Sequence, residues 1–117
     1  MLSSEELKGV LVIRCDSDVV YEKAETFKLM LDRFLNGDSR RVVLNLENSR
    51  YLCSSALGAI ASGCSRLREL GGDLVLTGLT TDLSRLLQVT RLTNVIQVAR
   101  DLDQAVALLE QSPAGTE

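Results

Sequence analysis

Two apolar patterns alternate along this chain, and their alternation limits the fold more than any single residue does. Continuous apolar runs predict strands, whereas apolar residues spaced three and four apart predict amphipathic helices. Strands that alternate with helices build a mostly parallel sheet through right-handed crossovers, so the order predicts an α/β fold. The predicted strands cover residues 10–13, 41–46, 73–77 and 95–98, and the predicted helices lie at about 20–35, 54–70, 81–87 and 102–109.

A further strand is predicted at the N-terminal edge of the sheet. Lys8 and Gly9 precede the first apolar run and predict the turn of a short hairpin. That strand would be antiparallel and would make the sheet mixed. The 117 residues are enough for one domain, and residues 112–117 are expected to form a flexible tail.

Composition argues against several classes of partner. The net charge of −3 lacks the basic footprint of a nucleic-acid-binding protein, and 3% aromatic residues without tryptophan argue against base stacking. No apolar run approaches the roughly 20 residues of a membrane-spanning helix, and the N-terminus lacks the order of a secretory signal. We therefore expect a cytoplasmic protein without nucleic-acid binding or direct membrane insertion.

The chain contains no histidine, which removes the commonest general base and the commonest metal ligand. Cys15, Cys53 and Cys64 form no C-x-x-C pair, so we expect buried structural thiols, no metal and no cofactor. Enzymatic activity is therefore not expected. A small cysteine-dependent enzyme is the alternative, with Cys53 as a nucleophile at a helix N-terminus.

Ser54 and Ser55 stand where the strand of residues 41–46 passes through a short loop into a helix. One interpretation is that a serine caps the helix, which stabilises a protein by about 0.5–2 kcal/mol. The other is a regulatory phosphoacceptor, because the free N–H groups of a helix N-terminus favour a phosphate. Gly58 and Gly63 follow inside this helix, where glycine is costly, and predict close approach to the sheet or to a partner.

Four stretches together resemble a STAS domain of the anti-sigma-factor-antagonist type, and they are residues 42–46, 51–58, 68–76 and 86–92. The central family pattern is Asp-Ser-Ser/Thr-Gly-Leu-Gly, followed by a helix that ends in Gly-Gly before a strand. The resemblance implies one STAS domain over residues 1–111. Its sheet would be mixed and mostly parallel, with four to five strands and with helices packed on one face.

The resemblance also implies a partner switch without enzymatic activity. The unphosphorylated protein would bind an anti-sigma factor that is a serine kinase with a histidine-kinase-like ATPase fold. Phosphorylation of Ser54, or alternatively Ser55, would release it, and a PP2C-type phosphatase would restore binding. The residues implied to bind the partner are Tyr51, Leu52, Cys53, Ser54, Ser55, Ala56, Leu57 and Asp18, with Asn45 and Gly58 as support.

Four positions depart from the family pattern. Cys53 replaces the acidic residue before the phosphoserine, Ala56 replaces a glycine, and Arg91 replaces the glycine of a Thr-Gly-Leu turn. The family's other acidic position aligns with Val20, although Asp18 lies close by. A second interpretation therefore stays open: an unphosphorylated STAS adaptor in a multiprotein signalling or transport complex.

Overall fold

A computed structural model describes residues 1–111, which form five strands and four α-helices. The strands are β1 (Leu2–Leu7), β2 (Val10–Cys15), β3 (Arg41–Asn45), β4 (Asp73–Thr77) and β5 (Gln97–Ala99). The helices are α1 (Ala24–Leu35), α2 (Ser54–Glu69), α3 (Thr81–Val89) and α4 (Leu102–Glu110). The tail predicted at residues 112–117 lies outside the described residues.

The five strands form one sheet in chain order, β1-β2-β3-β4-β5. β1 pairs with β2 antiparallel, and the other neighbours are parallel, so the predicted mixed, mostly parallel sheet is confirmed. Lys8 and Gly9 make the hairpin turn with φ values of 55° and 78°. Positive φ at both central residues is the geometry of a tight two-residue hairpin.

Helices α1, α2 and α3 cover one face of the sheet. Each of these helices connects two neighbouring parallel strands by a right-handed crossover, and successive strands are added in the same direction across the sheet, so the helices lie on the same side. The core beneath them includes Phe27, Leu44, Ile60 and Leu76, all at most 1% exposed.

Helix α4 corrects the expectation that the helices pack on one face, because it covers the other face. Val43 and Val75 point there and are fully buried, with Ala105 and Leu109 of α4 in the same cluster. α4 follows the last strand and is not a crossover, so handedness does not fix its side. The apolar residues on that face require a cover, and α4 supplies it.

The pair α1 and α2 packs closely at one point. A Cβ built on Gly63 would lie 2.4 Å from Leu35 Cδ1, so the absent side chain permits this approach. One turn further along α2, Arg66 forms an ion pair with Asp32 of α1 at 3.0 Å. The close approach predicted for Gly63 is therefore to a neighbouring helix.

Several predicted boundaries are wrong by a few residues. Val20 is 43% exposed and lies outside α1, which begins only at Ala24, after a 3-10 turn at Tyr21–Lys23. β5 occupies Gln97–Ala99 in place of the predicted 95–98. None of the helices within residues 1–111 has the length and apolar content to cross a membrane.

Candidate functional site

The segment between β3 and α2, residues 46–53, is called the site loop here, and it is paired to the connection that follows β2. Val19 donates its N–H to the Tyr51 carbonyl at 2.9 Å, and Cys53 donates its N–H to the Val19 carbonyl at 2.9 Å. This is a short parallel bridge beyond the ends of the strands, between Val19 and Leu52. The backbone leading into α2 is therefore held by sheet-type hydrogen bonds.

Asp18 adds a third connection between the same two segments. Its Oδ1 accepts the N–H of Arg50 at 2.7 Å, and the residue is exposed. The structure thus brings Asp18 to the site loop, where its carboxylate orients the backbone. Hydrogen bonds to a charged acceptor are among the stronger ones in proteins.

The other side of the site loop is fixed by the start of α3. Thr80 accepts the N–H of Leu83 at 3.2 Å as the cap of α3, and its hydroxyl donates to the Ser49 carbonyl at 3.4 Å. Arg50 and Asp82 form an ion pair at 3.1 Å. Both of these side chains are largely exposed, so the ion pair contributes little to stability.

Asn45 supports the beginning of the site loop from the end of β3. Its Oδ1 accepts the N–H of Glu47 at 3.0 Å, which forms a local turn. A Cβ on Gly78 would lie 2.5 Å from this oxygen, so Gly78 leaves room for the Asn45 side chain. Asn45 therefore lies beneath the loop and shapes it.

Helix α2 begins without a side-chain cap. The N-cap residue is Cys53, with φ −68° and ψ 166°, and its side chain makes no capping hydrogen bond. The first helical bond runs from the Leu57 N–H to the Cys53 carbonyl at 3.0 Å. Within residues 1–111, the N–H groups of Ser54, Ser55 and Ala56 have no acceptor. The interpretation of a serine as the N-cap is wrong, because both serines lie inside the first turn.

The predicted site residues divide into an exposed and a buried group. Ser54, Ser55 and Gly58 are exposed, and Tyr51 is 47% exposed. The buried residues are Leu52, Cys53, Ala56 and Leu57, none more than 6% exposed. Their side chains belong to the core of the free chain, and their part in partner binding stays a prediction.

Two further residues near the site were not singled out from the sequence. Tyr21 is 76% exposed in the turn before α1, and Thr80 links the site loop to α3. The signal for Thr80 was a threonine three residues before an apolar helical position, which is an N-cap pattern. The sequence signal for an exposed Tyr21 was its position next to charged residues and outside the apolar stripe of α1.

The described cysteine thiols are buried. Burial raises the pKa values of Cys15 and Cys64, which keeps both thiols protonated near neutral pH. Cys53 is 6% exposed, so its sulfur has little access to a substrate. These positions agree with the prediction of structural thiols.

Comparison with known proteins identifies the family of this chain. The family model of the STAS domain matches residues 1–105, and the chain belongs to the STAS domain family. An anti-sigma F factor antagonist from Paenibacillus polymyxa is 22% identical over 110 residues, 93% of this chain and 94% of that one.

Two solved structures show the same fold. An anti-sigma factor antagonist from Mycobacterium paratuberculosis superposes with a TM-score of 0.84 at 17% identity, covering 95% of this chain and 94% of that one. The Bacillus cell fate determinant SpoIIAA in its phosphorylated form gives a TM-score of 0.66 at 16% identity, covering 92% and 98%.

Proposed function

We propose that this chain is an anti-sigma factor antagonist that acts as a partner switch. Unphosphorylated, it binds an anti-sigma factor that is a serine kinase with a histidine-kinase-like ATPase fold. Phosphorylation of Ser54 releases it, and a PP2C-type phosphatase restores binding. The observation that carries the proposal is the exposed Ser54 in the first turn of α2, beside amides that have no acceptor within the described part of the chain.

The physical basis of the switch is the difference between the free and the bound surface. A phosphate adds about −1.5 to −2 charges, and a helix N-terminus stabilises nearby negative charge by about 0.3–1 kcal/mol. The free protein therefore tolerates the modification. An interface that must desolvate the same dianion without supplying cations loses several kcal/mol.

The departures from the family pattern bear on this proposal in different ways, and Cys53 is the one that favours the adaptor. Cys53 is buried at the N-cap and cannot offer a carboxylate beside the hydroxyl. Asp18 supplies an acidic group in the adjoining segment, where it holds the N–H of Arg50. Ala56 is helical and fully buried, a position at which alanine is preferred to glycine by about 1 kcal/mol.

Phosphate mapping tests the acceptor. Each ATPase-fold serine kinase encoded in the source genome is purified and incubated with this protein and ATP, and the phosphate is located by mass spectrometry. We expect transfer to wild type and to Ser55→Ala, and none to Ser54→Ala. Phosphate on Ser55 alone would select the alternative acceptor.

Binding before and after phosphorylation tests the switch. We expect phosphorylation to weaken the complex at least 100-fold, which corresponds to about 2.7 kcal/mol. A kinase that binds equally well to both forms, or no phosphate on either serine, contradicts the switch. Stable association with subunits of a transporter or signalling complex would then select the adaptor.

A further inference from the structure

A groove between α1 and α2 opens beside the candidate site and has a volume of about 540 Å³. One wall is the 3-10 turn before α1 and the first turns of α1, with Tyr21 at the end nearest the site. The other wall is the exposed face of α2, around Ser55 and Gly58. Ser55 lines this α1–α2 groove, and Ser54 does not.

Three charged side chains line the first wall in a fixed order. Glu22, Glu25 and Lys28 are spaced three residues apart, which places them on one side of the helical segment. Within residues 1–111, none of them forms an ion pair or a side-chain hydrogen bond. The groove therefore presents the unpaired negative charges of Glu22 and Glu25 near the site and the positive charge of Lys28 further along α1.

The mouth of the groove has the features of a contact surface. Tyr21 is 76% exposed, whereas Phe27 of the same segment is fully buried in the core. Exposed tyrosine is enriched at the energetic centres of interfaces. A Cβ on Gly58 would have no atom within 4 Å, so nothing inside the described fold requires glycine there. Glycine at that point leaves the α2 wall open to a partner.

We propose that the α1–α2 groove holds a segment of the partner kinase with complementary charge order. Basic side chains of that segment pair with Glu22 and Glu25, and an acidic side chain pairs with Lys28. The inference rests on the proposed function, since it assigns recognition chemistry to the same partner. A phosphate on Ser54 would lie beside the docked segment. Because the basic groups of that segment already pair with the two glutamates, they do not compensate the added negative charge.

Charge reversal inside and outside the groove tests the proposal. Isothermal titration calorimetry measures the Kd of the kinase that binds wild type, using Glu25→Lys and Lys28→Glu as groove variants. Glu69→Lys and Lys8→Glu make the same charge changes at exposed positions outside the groove. We expect both groove variants to weaken binding at least tenfold and both controls to stay within threefold. Circular dichroism confirms that each variant is folded.

The result for Lys28→Glu separates groove recognition from general electrostatic attraction. If only overall charge mattered, this variant would bind a basic partner more tightly than wild type does. Tighter binding, or equal effects of Glu25→Lys and Glu69→Lys, overturns the groove proposal while the switch stands. If no kinase binds wild type, the proposed function fails and the groove proposal fails with it.

Discussion

Gly58 and Gly63 lie five residues apart in α2, and the structure predicts opposite results for the same substitution. Gly58→Ala adds a methyl group with no atom within 4 Å, inside a helix that runs from Ser54 to Glu69. Alanine is preferred to glycine in a helix interior by about 1 kcal/mol, so the free energy of unfolding should rise by about that amount. For a domain of this size, that corresponds to an increase in Tm of about 3–5 °C.

Gly63→Ala has the same helix preference but meets a neighbour. Its Cβ would lie 2.4 Å from Leu35 Cδ1, and Leu35 is 5% exposed. Overpacking costs about 1–3 kcal/mol, which leaves a net loss of about 0–2 kcal/mol after the gain in helix preference. The two variants should therefore differ by at least about 1 kcal/mol.

Urea denaturation followed by circular dichroism measures both variants against wild type. Gly58→Ala should also weaken partner binding despite its greater stability, because its methyl group enters the α1–α2 groove. A Gly58→Ala variant no more stable than wild type would refute the reasoning about open space at this position. Equal stability changes for the two variants would refute the close approach of α1 and α2.

The remaining predictions concern stability elsewhere in the fold. Because burial raises the pKa values of Cys15 and Cys64, the unfolded chain loses these thiol protons at lower pH than the folded protein does, so the free energy of unfolding should be at its full value below about pH 9 and fall as the pH rises further. Denaturation of wild type and of a variant with both cysteines replaced by alanine, from about pH 7 to 10.5, measures this dependence, and parallel curves would contradict it. Asp18→Ala removes the acceptor of a 2.7 Å hydrogen bond, so it should lower the free energy of unfolding by about 1 kcal/mol and speed amide exchange in the site loop. Hydrogen–deuterium exchange measures the second effect, and unchanged exchange would argue against an orienting role for Asp18. Arg91 has φ 63°, a left-handed conformation that glycine adopts more easily, so Arg91→Gly should stabilise the protein by about 0.5–1 kcal/mol. Arg85→Gly inside α3 should instead destabilise it by about 1 kcal/mol, and stability changes of the same sign for both variants in thermal denaturation would contradict the left-handed conformation.

The order of strands and helices could be predicted because the spacing of apolar residues within each element indicates whether it is a strand or a helix. The apolar runs of β3 and β4 and the stripe of α1 at Phe27 and Leu31 needed no knowledge of the rest of the fold. The face covered by α4 was harder, since one amphipathic helix can pack on either side of a sheet. The run at Val42-Val43-Leu44 contained the missing signal, because consecutive buried residues in a strand need cover on both faces.

The candidate site was predictable as a segment but not in its details. Two serines before a helix favour a cap, yet Cys53 takes the N-cap position because its N–H pairs with Val19. That pairing joins residues far apart in sequence, and no local pattern reports it. The burial of Leu52 and Ala56 has the same origin, since their neighbours come from distant parts of the chain.

The bridge between Val19 and Leu52 has a consequence for how quickly a partner can be recognised. Since the site loop is already ordered by these backbone bonds, association requires little loss of conformational entropy. Encounter can then proceed near the rate set by diffusion and orientation, without a slow folding step. Under the proposed switch, discrimination between the unphosphorylated and phosphorylated forms would lie in the lifetime of the complex, which the phosphate would shorten.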